Sequence, residues 1–429
     1  MMAREGLAIT EVTALEILDS RGNPTVQVTL KVDGEPPYVA GVPSGASTGT
    51  REAVELRDGD DNRYAGKGVT HAVANVNGEI ADVLRRRTWA SLSEIDEIMI
   101  ALDGTPNKAR LGANALVGVS MAAARAFAAD TPLWQYLQPA EVSPRMPVPH
   151  FNVLNGGAHA ANNLDFQEFM IAPIGAPDFQ EAVRSGAAVY ARLRALLQAK
   201  GESTGLGDEG GFAPNIAKPE DVLALIVQAI DDAGYPTGKA GVAIALDPAS
   251  SEFYRCGKYH VAGETLTSDD MIARYEQIAT DFPVWLIEDG LAEGDWDGWE
   301  RLTARLGHRL ELVGDDIFVT NPTIITEAIA RKVGNAALIK VNQIGTISET
   351  LEAQWICREA GYAQLVSHRS GETPDTFIAD LTVGTGTGHL KTGAPARGER
   401  VAKYNRLLEI AAANPHLPYG LPPTSVGLR

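Results

Sequence analysis

In the last two thirds of the chain, short apolar runs recur, and each stops at a residue type that does chemistry. The run 242–246 stops at Asp247, 284–287 at Glu288 and then Asp289, and 310–313 at Gly314-Asp315-Asp316. The run 336–339 stops at Lys340, 364–366 at Ser367-His368-Arg369-Ser370, and 389–390 at Lys391. Asp247, Glu288 and Asp315 offer hard oxygen ligands without thiolate or imidazole, a donor set that suits Mg²⁺. Three unpaired carboxylates crowded together repel and raise one another's pKa, and a divalent cation removes that conflict. Lys340, near such a cation and other positive groups, is expected to have a lowered pKa and to serve as a base. The plainer alternative is that these acids cap the helices that come next. One such residue alone is more often a cap, but consecutive runs that all end this way favour a site.

Other segments carry weaker signals. Gly207-Asp208-Glu209-Gly210-Gly211 sets carboxyls on a flexible backbone, and by itself reads as a solvated turn. Asn155-Gly156-Gly157-Ala158-His159 places a His in a glycine-rich loop, with Gln167-Glu168 entering the next apolar run. Gly45-Ala46-Ser47-Thr48-Gly49 fits G-x-S-x-G, the nucleophile elbow of serine hydrolases, with Ser47 in the nucleophile position. That reading explains none of the acidic run ends and is the lesser one. Gly384-Thr385-Gly386-Thr387-Gly388 lacks the sixth-position glycine and spaced acid of a dinucleotide loop.

These residues need elements to position them. The spacing of the apolar runs is that of βα units, and nearly 290 residues of them fit a (β/α)₈-type barrel, whose C-terminal strand ends share one mouth. A doubly wound sheet is the alternative, without its nucleotide fingerprint. The first part differs. Alternation over 7–18 and 25–32, around the turn Asp19-Ser20-Arg21-Gly22-Asn23-Pro24, predicts an antiparallel pair. Ser93 with Asp96 resembles a capping box. An Ala-rich helix is expected from Asn114 to Ala129, and Pro139, Pro144, Pro147 and Pro149 punctuate a boundary near residue 140. The expected domains are therefore 1–140 and 141–429.

Composition narrows the class. Among 429 residues, 37 Lys and Arg against 55 Asp and Glu give a net charge of −18. That balance argues against broad nucleic-acid binding. The most apolar window, 112–129, is interrupted by Asn114, Ser120 and Arg125, so no membrane span is expected. Two cysteines, Cys256 and Cys357, cannot build a disulfide framework, and the N-terminus does not read as a signal peptide. A cytoplasmic enzyme is the expectation.

Over nearly its whole length the chain resembles the enolase family. The strings that carry this are Asp19-Ser20-Arg21-Gly22-Asn23-Pro24-Thr25-Val26, Pro43-Ser44-Gly45-Ala46-Ser47-Thr48-Gly49, Leu56-Arg57-Asp58-Gly59-Asp60 and Gly207-Asp208-Glu209-Gly210-Gly211-Phe212-Ala213-Pro214-Asn215. They continue with Lys340-Val341-Asn342-Gln343-Ile344-Gly345, Ser367-His368-Arg369-Ser370-Gly371-Glu372-Thr373 and Lys391-Thr392-Gly393-Ala394. The resemblance implies an α/β fold, a modified (β/α)₈ barrel preceded by a smaller α+β lid domain. It implies reversible, Mg²⁺-dependent dehydration of 2-phosphoglycerate to phosphoenolpyruvate. Asp247, Glu288 and Asp315 would hold the first Mg²⁺, and Ser47, in a mobile loop, the second. Lys340 would remove the C2 proton, and Glu209, helped by Glu168, would protonate the departing 3-hydroxyl. Lys391 would hold the substrate carboxylate, Arg369 and Ser370 the phosphate, and His159 and His368 would line the pocket. Cations around Lys340 and the seclusion of Glu209 are expected to push base and acid in opposite directions. A homodimer or homo-octamer is also implied.

Three residues depart from the family's usual pattern, namely Pro248, Ala158 and His389. None removes a carried-over catalytic group. Their position near the pocket keeps a second enzyme reading in view, a paralogue acting on a phosphonate substrate such as carboxyphosphonoenolpyruvate synthase. Intact Lys340, Glu209 and acidic ligands weigh against a purely structural or scaffolding protein.

Overall fold

A computed structural model describes residues 6–46 and 48–422. The first domain is built on a four-stranded sheet of β1 (Leu7–Leu18), β2 (Pro24–Val32), β3 (Tyr38–Gly41) and β4 (Thr88–Trp89), in the order β3-β2-β1-β4. β1 and β2 pair antiparallel around the expected turn, with Leu18 opposite Pro24. Asp19 closes that turn, its carboxylate accepting the N–H groups of Arg21 and Asn23.

The Ala-rich segment forms the helix Ala113–Ala128, buried on nearly every face. A helix apolar all round needs cover on all sides. One side meets β2 and β3, where Gly118 permits the approach, since a Cβ there would lie 2.7 Å from Val28 and 2.9 Å from Val42. Another side meets the barrel helix Ile347–Glu359, whose first N–H is bound by Ser120. No helix among the described residues is long and apolar enough to cross a membrane. The capping expectation shifts by two residues. Ser91, not Ser93, accepts the Glu94 N–H at the start of Leu92–Asp103, and Glu94 answers to the Ala90 N–H. Asp96 is instead buried, binding the N–H and hydroxyl of Ser348 across the domain boundary.

The second domain is a closed barrel of β5 (Val148–Asn155), β6 (Glu168–Ala172), β7 (Ala243–Asp247), β11 (Val284–Glu288), β12 (Glu311–Gly314), β13 (Ala336–Ile339), β14 (Ala363–Ser367) and β15 (His389–Lys391). A small hairpin sheet, β8 (Tyr254–Arg255), β9 (Lys258–Val261) and β10 (Glu264–Leu266), interrupts the series. The barrel is not uniformly parallel, because β6 runs antiparallel to both neighbours. Its first residue, Glu168, therefore pairs with Asn155 and Asp247 at the C-terminal ends of β5 and β7. A strand that runs backwards brings its beginning to the mouth, where barrel chemistry gathers. Below the mouth, the buried rings of His150, Trp285 and His389 pack together in the barrel interior, with centroids 5.5–5.7 Å apart.

Candidate active site

The strand ends converge as the sequence predicts, with two lysines among the acids. Lys391 Nζ lies 2.9 Å from Asp247, 2.8 Å from Glu288 and 3.0 Å from Glu168. Lys340 Nζ donates to Asp315 at 2.5 Å, and Gln343 donates to the other Asp315 oxygen at 2.8 Å. Asp289, held at a positive φ of 42°, accepts the N–H groups of Asp315 and Asp316 and fixes that turn. Asp289, Asp315 and Asp316 bring carboxylate oxygens within 4.8 Å of one another. Asp247 and Glu288 instead meet on the Lys391 ammonium.

The charges do not balance. Glu168, Glu209, Asp247, Glu288 and Asp315 are all buried, against the ammonium groups of Lys340 and Lys391. Burial, together with the negative charge of Asp247, pushes the Glu288 carboxyl well above its ordinary range. Buried negative charge in excess of its partners is relieved by a divalent cation or by protonation. The all-oxygen donors at these strand ends fit a hard cation. Among the protein groups alone, burial favours the neutral Lys340 amine, but Asp315 beside it outweighs that and holds the ammonium above its usual value, and a cation on Asp315 would remove that hold. Lys391, surrounded by carboxylates that outweigh its burial, is held well above its own.

A second acid group adjoins Lys391 through Glu168. His159 Nδ1 lies 3.8 Å from Glu168 and 3.7 Å from Glu209. His368 Nε2 lies 3.2 Å from Glu209, which also accepts a hydrogen bond of 2.9 Å from Asn152. Burial lowers the His159 pKa and brings His368 down to about 4, so both rings are neutral near pH 7. Seclusion alone raises a buried carboxyl. It does so for Glu168, assisted by the charge of Glu209, and that carboxyl lies well above its normal range. For Glu209 burial is outweighed by its contacts with His368 and His159, and its carboxyl falls well below. The direction expected for Glu209 from seclusion is thus opposed by its imidazole neighbours, and the two carboxyls are pushed apart, Glu168 up and Glu209 down. With His368 neutral, its help to Glu209 is that of a ring N–H and not of a full charge.

The third wall joins the two domains. Arg369 and Ser370 line the same cavity as Lys340, Lys391, His159 and His368. Ser44 bridges to Gly371, and a Cβ on Gly45 would strike the Arg369 guanidinium 2.0 Å away, so only glycine permits this approach. Ser47, expected both as metal ligand and, in the lesser reading, as nucleophile, lies outside the described residues. Among the described residues no helix starts directly after 45–49, as a hydrolase elbow requires; the next helical turn is Tyr64–Gly66.

Sequence reasoning missed Asn152, Glu52 and Arg400, and named Gln343 only inside a longer string. Asn152 was recoverable, since it lies two residues after His150 on β5 and shares its inward face. Glu52 and Arg400 come from other elements, and no periodicity points to them.

An eight-stranded barrel with acids and two lysines at one mouth, closed on one side by a smaller α+β domain, defines a two-domain barrel enzyme. A family model described as the enolase N-terminal domain matches residues 9–137, and one described as the enolase C-terminal TIM barrel domain matches 143–414. The enolase of Rubrobacter xylanophilus is 53% identical over 411 residues, covering 94% of this chain and 95% of its own. The chain belongs to the enolase family.

Proposed function

We propose that this protein catalyses the reversible dehydration of 2-phosphoglycerate to phosphoenolpyruvate, with its site residues divided among base, acid and anion-holding roles. The observation that carries the reading is one cavity lined by the Lys340 and Lys391 ammonium groups together with a two-carboxyl, two-imidazole group. The chain is a carbon–oxygen lyase of its family, and its substrate is a small phosphorylated acid.

Lys340 is the base for the C2 proton. A proton beside a carboxylate is weakly acidic, because its loss creates a dianion. Lys391 lies where it can hold the substrate carboxylate and offset that charge as it grows. Glu209 delivers the proton to the departing 3-hydroxyl, and Glu168 stores it beforehand, as the raised Glu168 carboxyl supports. Arg369 and Ser370 hold the phosphate, while His159 and His368 shape the acid wall. A family member of this kind uses a metal, and the excess of buried carboxylates supports one here. Our reading is two Mg²⁺ ions, with Asp247, Glu288 and Asp315 for the first and Ser47 for the second. Bound metal supplies positive charge against the dianion. The phosphonate alternative gains no support, since His389 lies below the mouth in the barrel interior and not against the cavity.

A boundary at 140/141 is our reading of the domains, supported by the gap between the two matched regions. Assembly as a dimer or octamer is supported by apolar Leu15 and Leu18, about half exposed on β1. A cytoplasmic location is supported by Cys256 and Cys357, both free thiols. The direct test is turnover of 2-phosphoglycerate, monitored by the rise in enol absorbance. Preference for a phosphonate partner over 2-phosphoglycerate would overturn the substrate assignment.

A further inference from the structure

Arg400 sits in the first turn of the helix Gly398–Ala413 and is fully buried. Its Nη1 lies 2.6 Å from His368 Nδ1 and donates to the Arg369 carbonyl at 2.6 Å. Its Nη2 donates to the Ser370 carbonyl at 2.6 Å, the Asp208 carbonyl at 3.2 Å and the Ser20 hydroxyl at 3.4 Å. Its nearest carboxylate contact is Glu399, 3.5 Å from Nε. Three residues along the same helix, Lys403 binds Glu372 at 2.8 Å and the Thr373 carbonyl at 2.7 Å. Two buried cations, one turn apart, thus hold the segment 368–373 from behind.

The Arg400 contact with His368 has a chemical consequence. A guanidinium has donors only. The imidazole nitrogen facing it must therefore accept, which leaves the ring proton on Nε2, the atom 3.2 Å from Glu209. The same guanidinium ties down the Asp208 carbonyl next to Glu209 and the carbonyls of Arg369 and Ser370.

We propose that Arg400 is a positioning residue for the acid half of the reaction: it fixes His368 as the neutral ring with its N–H toward Glu209, and sets the spacing between the Glu209 turn and the phosphate-binding loop. This rests on the acid role given to Glu209. The charged groups facing His368 are Glu209, Arg400 and Glu372. Glu209 and Glu372 draw a proton onto the ring, and Arg400 opposes them.

The test uses the full chain with Mg²⁺, and compares Arg400→Gln and Arg400→Lys in dehydration, in exchange of the C2 proton and in pH profile. In Arg400→Gln, dehydration is expected to fall by about 100-fold, the range of a mispositioned acid group. C2 exchange, which depends on Lys340 and not on the Glu209 group, should fall far less. The acidic limb of kcat should move up by about one pH unit as His368 becomes free to take a second proton. Arg400→Lys should return the limb to its original pH while recovering dehydration only in part. His368→Gln should remove the limb shift from the Arg400→Gln background.

A purely structural role predicts something else: dehydration and exchange falling in equal proportion, an unmoved limb and a lower Tm. That pattern would overturn the proposal. If Arg400→Gln does not fold, the ¹⁵N resonances of labelled histidine in the wild type and Arg400→Lys decide, with His368 identified by its loss in His368→Gln. A wild-type His368 protonated on Nδ1 would end the proposal. Absence of any 2-phosphoglycerate turnover in the wild type would instead sink the functional reading, and would leave the tautomer result standing.

Discussion

Glu52, from the first domain, grips Arg369, from the barrel, by both terminal nitrogens of its guanidinium. Nη1 lies 2.9 Å from one carboxylate oxygen and Nη2 3.1 Å from the other. Glu52 also accepts from the Gly49 N–H at 3.0 Å, so the glycine-rich loop and the expected phosphate ligand share one carboxylate. A phosphate arriving at Arg369 meets an edge already engaged by an anion. Glu52→Gln keeps the shape and removes the competing charge. Inorganic phosphate should then inhibit more strongly, by about five-fold, the equivalent of about 1 kcal/mol. Weaker phosphate inhibition in the variant would show that Glu52 aims Arg369 and does not compete for it.

The division between base and acid can be read from isotopes. Lys340→Ala should abolish exchange of the C2 proton with solvent. Glu209→Gln should block dehydration while part of the exchange survives. Equal loss of exchange in both would refute the separation of roles.

Removing divalent metal should stop turnover, and restoring Mg²⁺ should recover it. With the buried carboxylates again uncompensated, chelation should also lower the Tm, which a thermal scan measures. Full activity in excess chelator would reject the metal reading. Mg²⁺ that restored Tm without turnover would place the ion elsewhere.

His150 makes stability depend on pH. Burial brings its pKa down to about 4, and Nε2 has no hydrogen-bond partner among the described residues of the barrel interior. An unfolded His binds its proton near pH 6.5, so between about 6.5 and about 4 the unfolded chain carries the extra proton. The stabilisation is complete above about 6.5 and is lost as pH falls toward about 4, about 3 kcal/mol in all. His150→Met should flatten the dependence of unfolding free energy on pH across that window by about one proton. Urea titrations at a series of pH values measure the slope, and an unchanged slope would mean that the ring is already protonated in the fold.

Much of the mouth was legible because strand ends are local. Asp247, Glu288, Lys340 and Lys391 each come directly after an apolar run, and Asp315 follows one by a single glycine. Protonation was not legible, since it depends on partners far apart in the chain. Glu209 looked secluded, but His368 and His159 reverse what seclusion does, and Asp315 does the same for Lys340. Strand direction was hidden as well. The run at β6 reads alike either way, and only its pairing with β5 and β7 reveals the reversal. The cap at Ser91 was mislocated because Ser91-x-x-Glu94 and Ser93-x-x-Asp96 overlap, and burial against Ser348 removes Asp96 from capping.

The reversed β6 redistributes which connections are free to vary. The loop leaving an ordinary barrel strand opens on the chemistry, whereas the segment after β6, from Pro173 to Asp178, opens on the floor beside Tyr235, Pro236 and Tyr419. An engineer inserting a tag or a foreign peptide into this barrel would find there a doorway that leads away from the reaction, and would ruin the enzyme by choosing the stretch just ahead of Glu168.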